Sequence, residues 1–339
     1  MHPALPDYLC HPSQNLYLKP LSAQDWVNNF DSEGRIVSEN RVKEHIFFAG
    51  CAPEIRSKVW PFLLDLWKWS STQSERLELL KSKTAQYQAI NKRRISINEN
   101  GHCSSEWAFL TEVQSIVEKD VLRTDRQYQY FSGSGNKNLD KLRRILLNYS
   151  TLTQYTYTQG MSDLLSPLLM HIEDEALCFW CFVGLMEKNK YINSLKYEDM
   201  KKELILLRRL IKLILPKFYR HILNMGPGAQ DLLFAHRWLI LMFKREWSDP
   251  KDSLLVWECT WSECKTKYMH LFIACAFIEL YGQDPMVHKL DLDETLLYLT
   301  QVAGNADADE VLRRARKLVH NIQSRISLPC YVSWNFVSF

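Results

Sequence analysis

Residues 139–149 read LDKLRRILLNY, and this stretch decides the fold class of the chain. Its apolar residues include positions 139, 142, 145, 146 and 149, with charged residues between the first three. Spacings of three and four residues bring these apolar side chains onto one face of an α-helix. The stretch is therefore predicted to be an amphipathic helix that packs one face against a core.

The same period continues outward along the chain. Residues 200–215 repeat it, and residues 231–244 are apolar on most of their surface, which predicts a helix buried on several sides. Only 11 glycines occur in 339 residues, and the dipeptides typical of hairpins are few. We therefore predict an all-α fold.

Prolines and glycines predict where the helices end. Pro61 and Pro167 are each predicted to stand at a helix end, and residues 95–103, ISINENGHC, are the best candidate for a loop. Residues 271–278 form the most apolar stretch. A membrane-spanning helix needs about 20 apolar residues, so this shorter stretch is predicted to be a buried core helix.

Composition and charge exclude several classes of protein. The 46% hydrophobic and 24% charged residues are ordinary for a globular protein that buries a core without disulfides. A net charge of +3, from 42 basic and 39 acidic residues, creates no uniform field that would draw the chain onto nucleic acid or acidic lipid, so any basic contact must be local. Short basic runs, such as residues 208–209, are interpreted as solvated helix faces, with a patch facing a partner or a lipid as the alternative.

The cysteines indicate a reducing compartment. There are nine, an odd number, and the N-terminal sequence MHPALPDYLCHPSQ lacks the basic and apolar regions of a secretion signal. We therefore expect a cytoplasmic protein with reduced thiols. Cys178 and Cys181 have the C-x-x-C spacing of redox and zinc sites, but the aromatic residues between them favour buried core cysteines. No metal site is predicted.

The familiar motifs of self-contained enzymes are missing. Residues 133–137, GSGNK, lack the spacing of a phosphate-binding loop and are predicted to form a turn. Ser162 lacks the second glycine of a nucleophile elbow, which argues against serine hydrolase chemistry. The chain is not expected to be an enzyme by itself.

Two short motifs carry polar residues that could act on a partner. Residues 117–126, VEKDVLRTDR, surround Arg123, and residues 157–160, YTQG, contain Gln159. Taken alone, Asp120 and Arg123 are predicted to form a surface ion pair three residues apart, and the second motif is a turn with a polar side chain. The residues by themselves favour this structural interpretation.

With residues 56–60, RSKVW, these motifs resemble the TBC domain, the catalytic domain of GTPase-activating proteins for Rab GTPases. The family patterns R-x-x-x-W, I-x-x-D-x-x-R and Y-x-Q-G occur here in the family's order. The similarity extends over about residues 40–320 and is greatest to the branch of family members fifteen, sixteen and seventeen. Val117 stands where the family usually has isoleucine, which is a conservative change.

The resemblance implies a role for each motif residue. Arg123 would be an arginine finger and Gln159 a glutamine finger that positions the attacking water, both supplied to the GTP of the partner. Five other family positions are expected to support them: Asp120, Tyr157, Gly160, Arg56 and Trp60. Asp120 would orient Arg123, and Tyr157 and Gly160 would shape the loop that carries Gln159. Arg56 and Trp60 would hold the scaffold together.

The resemblance also implies a partner and a place of action. The partner would be a Rab-family small GTPase in its GTP-bound state, which brings GTP and Mg²⁺, so the chain needs no cofactor of its own. The protein would regulate vesicle trafficking at endomembrane surfaces by peripheral association, with no transmembrane segment. The alternative is a non-catalytic helical adaptor that binds a Rab GTPase.

The domain organisation follows from the same resemblance. A TBC domain is predicted over residues 40–320, as one all-α domain or as two packed helical halves. The halves would be a catalytic half over about residues 40–184 with both fingers and a supporting half over about residues 185–320. Residues 1–39 are predicted to be an irregular arm and a first helix, and residues 321–339 a C-terminal tail.

Overall fold

The computed structural model describes residues 19–100, 104–192, 197–226, 228–302 and 304–326. In these ranges the regular structure is helical, with isolated β-bridges such as the one between Leu21 and Cys51. The predicted all-α fold is therefore confirmed. Most of the predicted N-terminal arm, residues 1–18, and much of the predicted tail, residues 327–339, lie outside the described residues.

The described chain separates into two compact units. The first unit comprises residues 23–37 and 52–197, and the second comprises the described parts of residues 1–22, 38–51 and 198–339. Both units are discontinuous in sequence, because the second takes residues 38–51 from within the span of the first. The predicted division near residue 185 and the predicted domain ends stay predictions.

The first unit is built around one central helix. Its α-helices are α1 (Ala23–Asn28), α3 (Arg56–Leu63), α4 (Gln73–Asn100), α5 (Ser105–Val121), α6 (Lys137–Thr153), α7 (Met161–His171) and α8 (Glu175–Lys188). The central helix α6 packs against α4, α5, α7 and α8. It contains the stretch that decided the fold class, and the apolar stripe of that stretch, from Leu139 to Tyr149, is buried as predicted.

The second unit has its own buried helix. Its α-helices are α2 (Glu39–Ala49), α9 (Tyr197–Ile214), α10 (Pro216–Asn224), α11 (Leu233–Ile240), α12 (Asp252–Trp261), α13 (Met269–Tyr281), α14 (Gln283–His288), α15 (Leu292–Val302) and α16 (Ala308–Ile326). In α13 every residue from Met269 to Ile278 is buried, which confirms the predicted core helix. Within the described ranges, no helix has the length and apolar character needed to cross a membrane.

Four predictions of helix boundaries were wrong. Pro61 and Pro167 lie inside α3 and α7, because close packing of the buried residues around them outweighs the roughly 3 kcal/mol cost of an interior proline. The expected loop at residues 95–103 is helical as far as Asn100, since extending an existing helix needs no new nucleus; residues 101–103 lie outside the described part. The helix expected over residues 231–244 ends at Ile240.

Candidate functional site

A buried carboxylate lies at the centre of the candidate site. Asp120, near the end of α5, is only 5% exposed. Its Oδ1 accepts a hydrogen bond from Nε of Arg123 at 3.0 Å and another from Nη2 of the same guanidinium. Its Oδ2 accepts a hydrogen bond from the hydroxyl of Tyr157 at 2.8 Å. Both carboxylate oxygens therefore have hydrogen-bond partners, which offsets the cost of burying them.

The chain turns sharply where α5 ends, and this turn exposes Arg123. The backbone N–H of Arg123 donates to the carbonyl of Asp120 at 3.1 Å, and that of Thr124 donates to Val121 at 3.3 Å. The side chain of Arg123 is 63% exposed although it bonds to buried Asp120. The ion pair predicted from the spacing is therefore present, with one partner inside the protein and the other at its surface.

Tyr157 connects the two motifs. Its hydroxyl donates to Asp120 and accepts the backbone N–H of Ser162 at 3.2 Å. Burial first, and then the neighbouring Asp120 carboxylate, raise the pKa of the Tyr157 hydroxyl above its ordinary value of 10. The hydroxyl therefore keeps its proton and remains a donor near neutral pH. One tyrosine thus fixes the start of the second motif to the first.

Gln159 is exposed and lies on a turn immediately before α7, between buried Thr158 and buried Gly160. The turn is closed by the backbone N–H of Met161, which donates to the carbonyl of Thr158 at 3.1 Å. Gly160 follows with a φ of 103°, a left-handed conformation that strains residues with a Cβ atom. Gly160 therefore permits the change of direction by which the chain leaves Gln159 at the surface and enters α7.

Two hydroxyl residues in the cluster were not among the predicted site residues. Oγ1 of Thr124 lies 2.7 Å from the carbonyl oxygen of Asp120 and 2.8 Å from Oγ of Ser162. These bonds join the turn after α5 to the first turn of α7. Sequence reasoning considered Ser162 only as a nucleophile and rejected it. Its position two residues after Gly160 was the signal that it begins the helix behind the Gln159 turn.

Arg56 and Trp60 form a separate cluster at the other end of α7. Nη1 of Arg56 lies 3.3 Å from Nε2 of His171, and the ring of buried Trp60 lies 5.0 Å from the His171 ring. At 1.5 Å per residue, the 11 residues of α7 separate its two ends by roughly 15 Å. The structure therefore brings Asp120, Arg123 and Tyr157 together. Arg56 and Trp60 instead contact His171, the last residue of α7.

The C-x-x-C pair is part of the core. Cys178 and Cys181 are both fully buried in α8, and burial raises the pKa of each thiol above 9. Buried thiols of this kind are poor nucleophiles and poor metal ligands. The interpretation as core cysteines is thus confirmed. Among the described residues, no group of three or more His, Cys, Asp or Glu side chains is arranged to hold a metal ion.

Chemically, the site offers two exposed side chains on a rigid base. Arg123 supplies a permanent positive charge, and Gln159 supplies an amide that can both donate and accept hydrogen bonds. The base consists of the Asp120 carboxylate and the Tyr157 hydroxyl. Such an arrangement is suited to contacting a negatively charged group on a bound partner.

Comparison with known sequences identifies related proteins. Residues 53–286 match the Rab-GTPase-TBC domain family. The TBC1 domain family member 16 of Homo sapiens is 40% identical over 97% of this chain and 42% of its own length, in agreement with the predicted branch. The GTPase-activating protein GYP7 of Yarrowia lipolytica is 31% identical over 91% of this chain and 45% of its own length. The chain thus spans less than half the length of these curated relatives.

Comparison with solved structures supports the fold. The crystal structure of the Ypt/Rab-GAP domain of Gyp1p superposes with a TM-score of 0.72. The match covers 92% of this chain and 99% of that one, at 20% sequence identity. At this identity, the likeness establishes a shared helical architecture.

Proposed function

Because the chain belongs to the Rab-GTPase-TBC domain family, we propose that it is a GTPase-activating protein for GTP-bound Rab-family small GTPases. The observation that carries the proposal is the pairing of exposed Arg123 with buried Asp120. Asp120 also accepts a hydrogen bond from Tyr157, which belongs to the same motif as Gln159. A relative named as a GTPase-activating protein, GYP7 of Yarrowia lipolytica, supports the same activity.

In this proposal Arg123 is an arginine finger. Negative charge spreads over the phosphate oxygens during phosphoryl transfer, and a guanidinium can donate to two of them at once. Nε and Nη2 of Arg123 both donate to Oδ1 of Asp120, and neither of these two hydrogen bonds uses Nη1. Asp120 thus acts as a positioning residue, since it restricts the directions in which the guanidinium can point.

Gln159 is the second finger. Its amide would accept a hydrogen bond from the attacking water and donate one toward the γ-phosphate, so that the water stays in line with the bond that breaks. Its turn is supported from behind by Tyr157 and by the left-handed Gly160. The GTP and Mg²⁺ arrive with the partner, and the protein acts in vesicle trafficking at endomembrane surfaces.

Single-turnover GTP hydrolysis by a panel of GTP-loaded Rab proteins tests the proposal. Arg123→Ala should slow the stimulated rate about 10³- to 10⁵-fold, the usual effect of an arginine finger. Arg123→Lys should be nearly as defective, because lysine lacks the planar fork. Gln159→Ala should cost about 10²- to 10³-fold, as removal of other transition-state hydrogen bonds does.

Matched control variants distinguish the loss of a finger from the loss of any other exposed polar side chain. Arg93 is an exposed arginine of the same unit that is also ion-paired, to Glu106, and Gln88 is exposed on α4. Arg93→Ala and Gln88→Ala should retain full stimulation. If folded wild-type protein binds a Rab but accelerates no hydrolysis, the activity is refuted and the adaptor alternative is favoured.

A further inference from the structure

A pocket of about 610 Å³ opens in the second unit between α10 and α14. Its lining includes Lys217 and Arg220 of α10 and Lys289, which follows α14. All three side chains are exposed, and none has an ion-pair partner among the described residues. The volume lies within the range of small-molecule sites, and the lining provides three positive charges.

One acidic residue also lines the pocket. Asp291 uses its Oδ1 to accept the backbone N–H of Glu294 at 2.9 Å, so its carboxylate caps the start of α15. His221 lines the pocket as well, and burial lowers the pKa of its imidazole below 6.5, so it adds no charge at neutral pH. The pocket therefore keeps a net charge of about +2 at its mouth.

The sequence that contains α10 is rich in basic residues. Residues 204–230 contain no aspartate or glutamate but five basic residues: Arg208, Arg209, Lys212, Lys217 and Arg220. Although the whole chain is nearly neutral, this stretch is strongly basic. Its potential acts over about 8 Å at physiological ionic strength, the distance over which salt screens charge.

Exposed apolar side chains are next in sequence to two residues that line the basic pocket. Val287, next to the lining residue Met286, is 72% exposed, and Leu223, next to Asn224, is 43% exposed. Basic side chains beside exposed apolar ones are the combination found on proteins that lie on anionic lipid surfaces. A soluble anion would use the basic groups but would leave Val287 and Leu223 in water.

We propose that this pocket binds the phosphate-bearing headgroup of an anionic membrane lipid, with Val287 and Leu223 against the lipid surface. Lys217, Arg220 and Lys289 bind the phosphate oxygens. The pocket and its apolar neighbours lie entirely in the second unit, and the site is independent of Arg123 and Gln159, which belong to the first. Membrane binding is therefore expected even if the chain activates no GTPase.

Flotation of the full chain with lipid vesicles tests the site. The vesicles are phosphatidylcholine alone, phosphatidylcholine with phosphatidylserine, and the latter with phosphatidylinositol bisphosphate. Binding should increase along this series and weaken at high salt. The triple variant Lys217→Gln, Arg220→Gln and Lys289→Gln should bind the third vesicle roughly 100-fold more weakly, at about fivefold per basic residue.

A control triple variant removes the same charge elsewhere. Lys81→Gln, Lys92→Gln and Lys251→Gln replace exposed lysines outside the pocket and should leave vesicle binding nearly unchanged. Val287→Ser should weaken binding several-fold, while Val27→Ser, at a position 62% exposed in the first unit, should not. Circular dichroism confirms that every variant is folded.

Three results would overturn the proposal. One is equal binding of wild-type protein to neutral and anionic vesicles. Another is equal loss of binding in the two triple variants, which would mean that only net charge matters. The third is binding of soluble inositol hexakisphosphate at the pocket without binding to any vesicle, which would identify a site for a soluble phosphate compound.

Discussion

At the scale of single residues, Asp120 holds the candidate site together. Its buried carboxylate bonds to an arginine three residues later and to a tyrosine 37 residues later. Removing any partner would leave a buried polar atom without a hydrogen bond, which costs more than the bond itself contributes. The cluster is therefore expected to respond strongly to small changes.

Tyr157→Phe tests this expectation by removing one oxygen atom. Oδ2 of Asp120 would lose the hydrogen bond donated by Tyr157, and the backbone N–H of Ser162 would lose its acceptor. We expect the free energy of unfolding to fall by about 1–3 kcal/mol, as measured by urea denaturation. Stimulation of a Rab GTPase should fall as well, because the turn before α7 loses its anchor.

Tyr219→Phe is the matched control. Its ring lies near Lys212, but its hydroxyl has no hydrogen bond among the described residues, so the change should stay within about 0.5 kcal/mol. Equal stability of Tyr157→Phe and wild-type protein would show that the Tyr157 hydroxyl does not hold the cluster.

At the scale of elements, α7 links the Gln159 turn to the scaffold. Gly160 precedes its first residue, and His171 is its last. The two nitrogens of His171 are used differently: Nε2 faces the Arg56 guanidinium at 3.3 Å, and Nδ1 lies 2.9 Å from the carbonyl of Pro167. A neutral imidazole with its proton on Nδ1 satisfies both contacts.

This arrangement predicts a dependence of stability on pH. Burial, and then the positive charge of Arg56, lower the pKa of His171 below its ordinary value of 6.5. Between the lowered pKa and 6.5 the unfolded chain binds more protons than the folded one, so stability decreases as the pH falls below about 6.5. Urea denaturation at several pH values measures the effect.

The variant His171→Gln separates the pH-dependent stability that comes from His171 from that of other histidines. Glutamine offers Arg56 a hydrogen-bond acceptor but does not titrate. At pH 7.5 and above, the difference in unfolding free energy between wild type and variant should be constant. As the pH falls below about 6.5, the free energy of unfolding of the wild type should decrease relative to that of the variant. A difference that is independent of pH would contradict the assignment.

At the scale of the whole molecule, buried polar contacts join parts of the chain that are far apart in sequence. Arg316 of α16, only 9% exposed, donates from Nη2 to the carbonyl of Phe47 of α2 at 2.8 Å. The two residues are 269 positions apart and belong to the same unit. The guanidinium also lies over the rings of Phe47 and Phe48.

Arg316→Met should lower the free energy of unfolding by about 1–3 kcal/mol, because the Phe47 carbonyl loses the donor of a buried hydrogen bond. The measurement is the shift of the urea midpoint at constant slope. Arg313→Met is the control: Arg313 forms a partly exposed pair with Glu310 on its own helix, and such pairs contribute about 1 kcal/mol or less. Equal effects of the two changes would contradict this account.

The fold class, the core helices and the family could be predicted from the amino-acid sequence. Periodic apolar residues, as in α6 and α13, report burial directly, because a helix must cover its apolar face. Arg123 and Gln159 were found by motif, and the ion pair between Asp120 and Arg123 follows from a spacing of three residues. These are local properties, so they can be recognised in the amino-acid sequence.

Contacts between segments that are distant in sequence could not be predicted and are seen only in the folded protein. No spacing rule predicts that Tyr157 bonds to Asp120, that His171 faces Arg56, or that Lys289 lies beside Lys217 and Arg220. The helices α3 and α7 continue through Pro61 and Pro167 for a related reason. The free energy gained by packing many buried side chains exceeds the local preference of one proline. Such contacts form only when the whole chain has folded, since each depends on the packing of helices from different parts of the sequence.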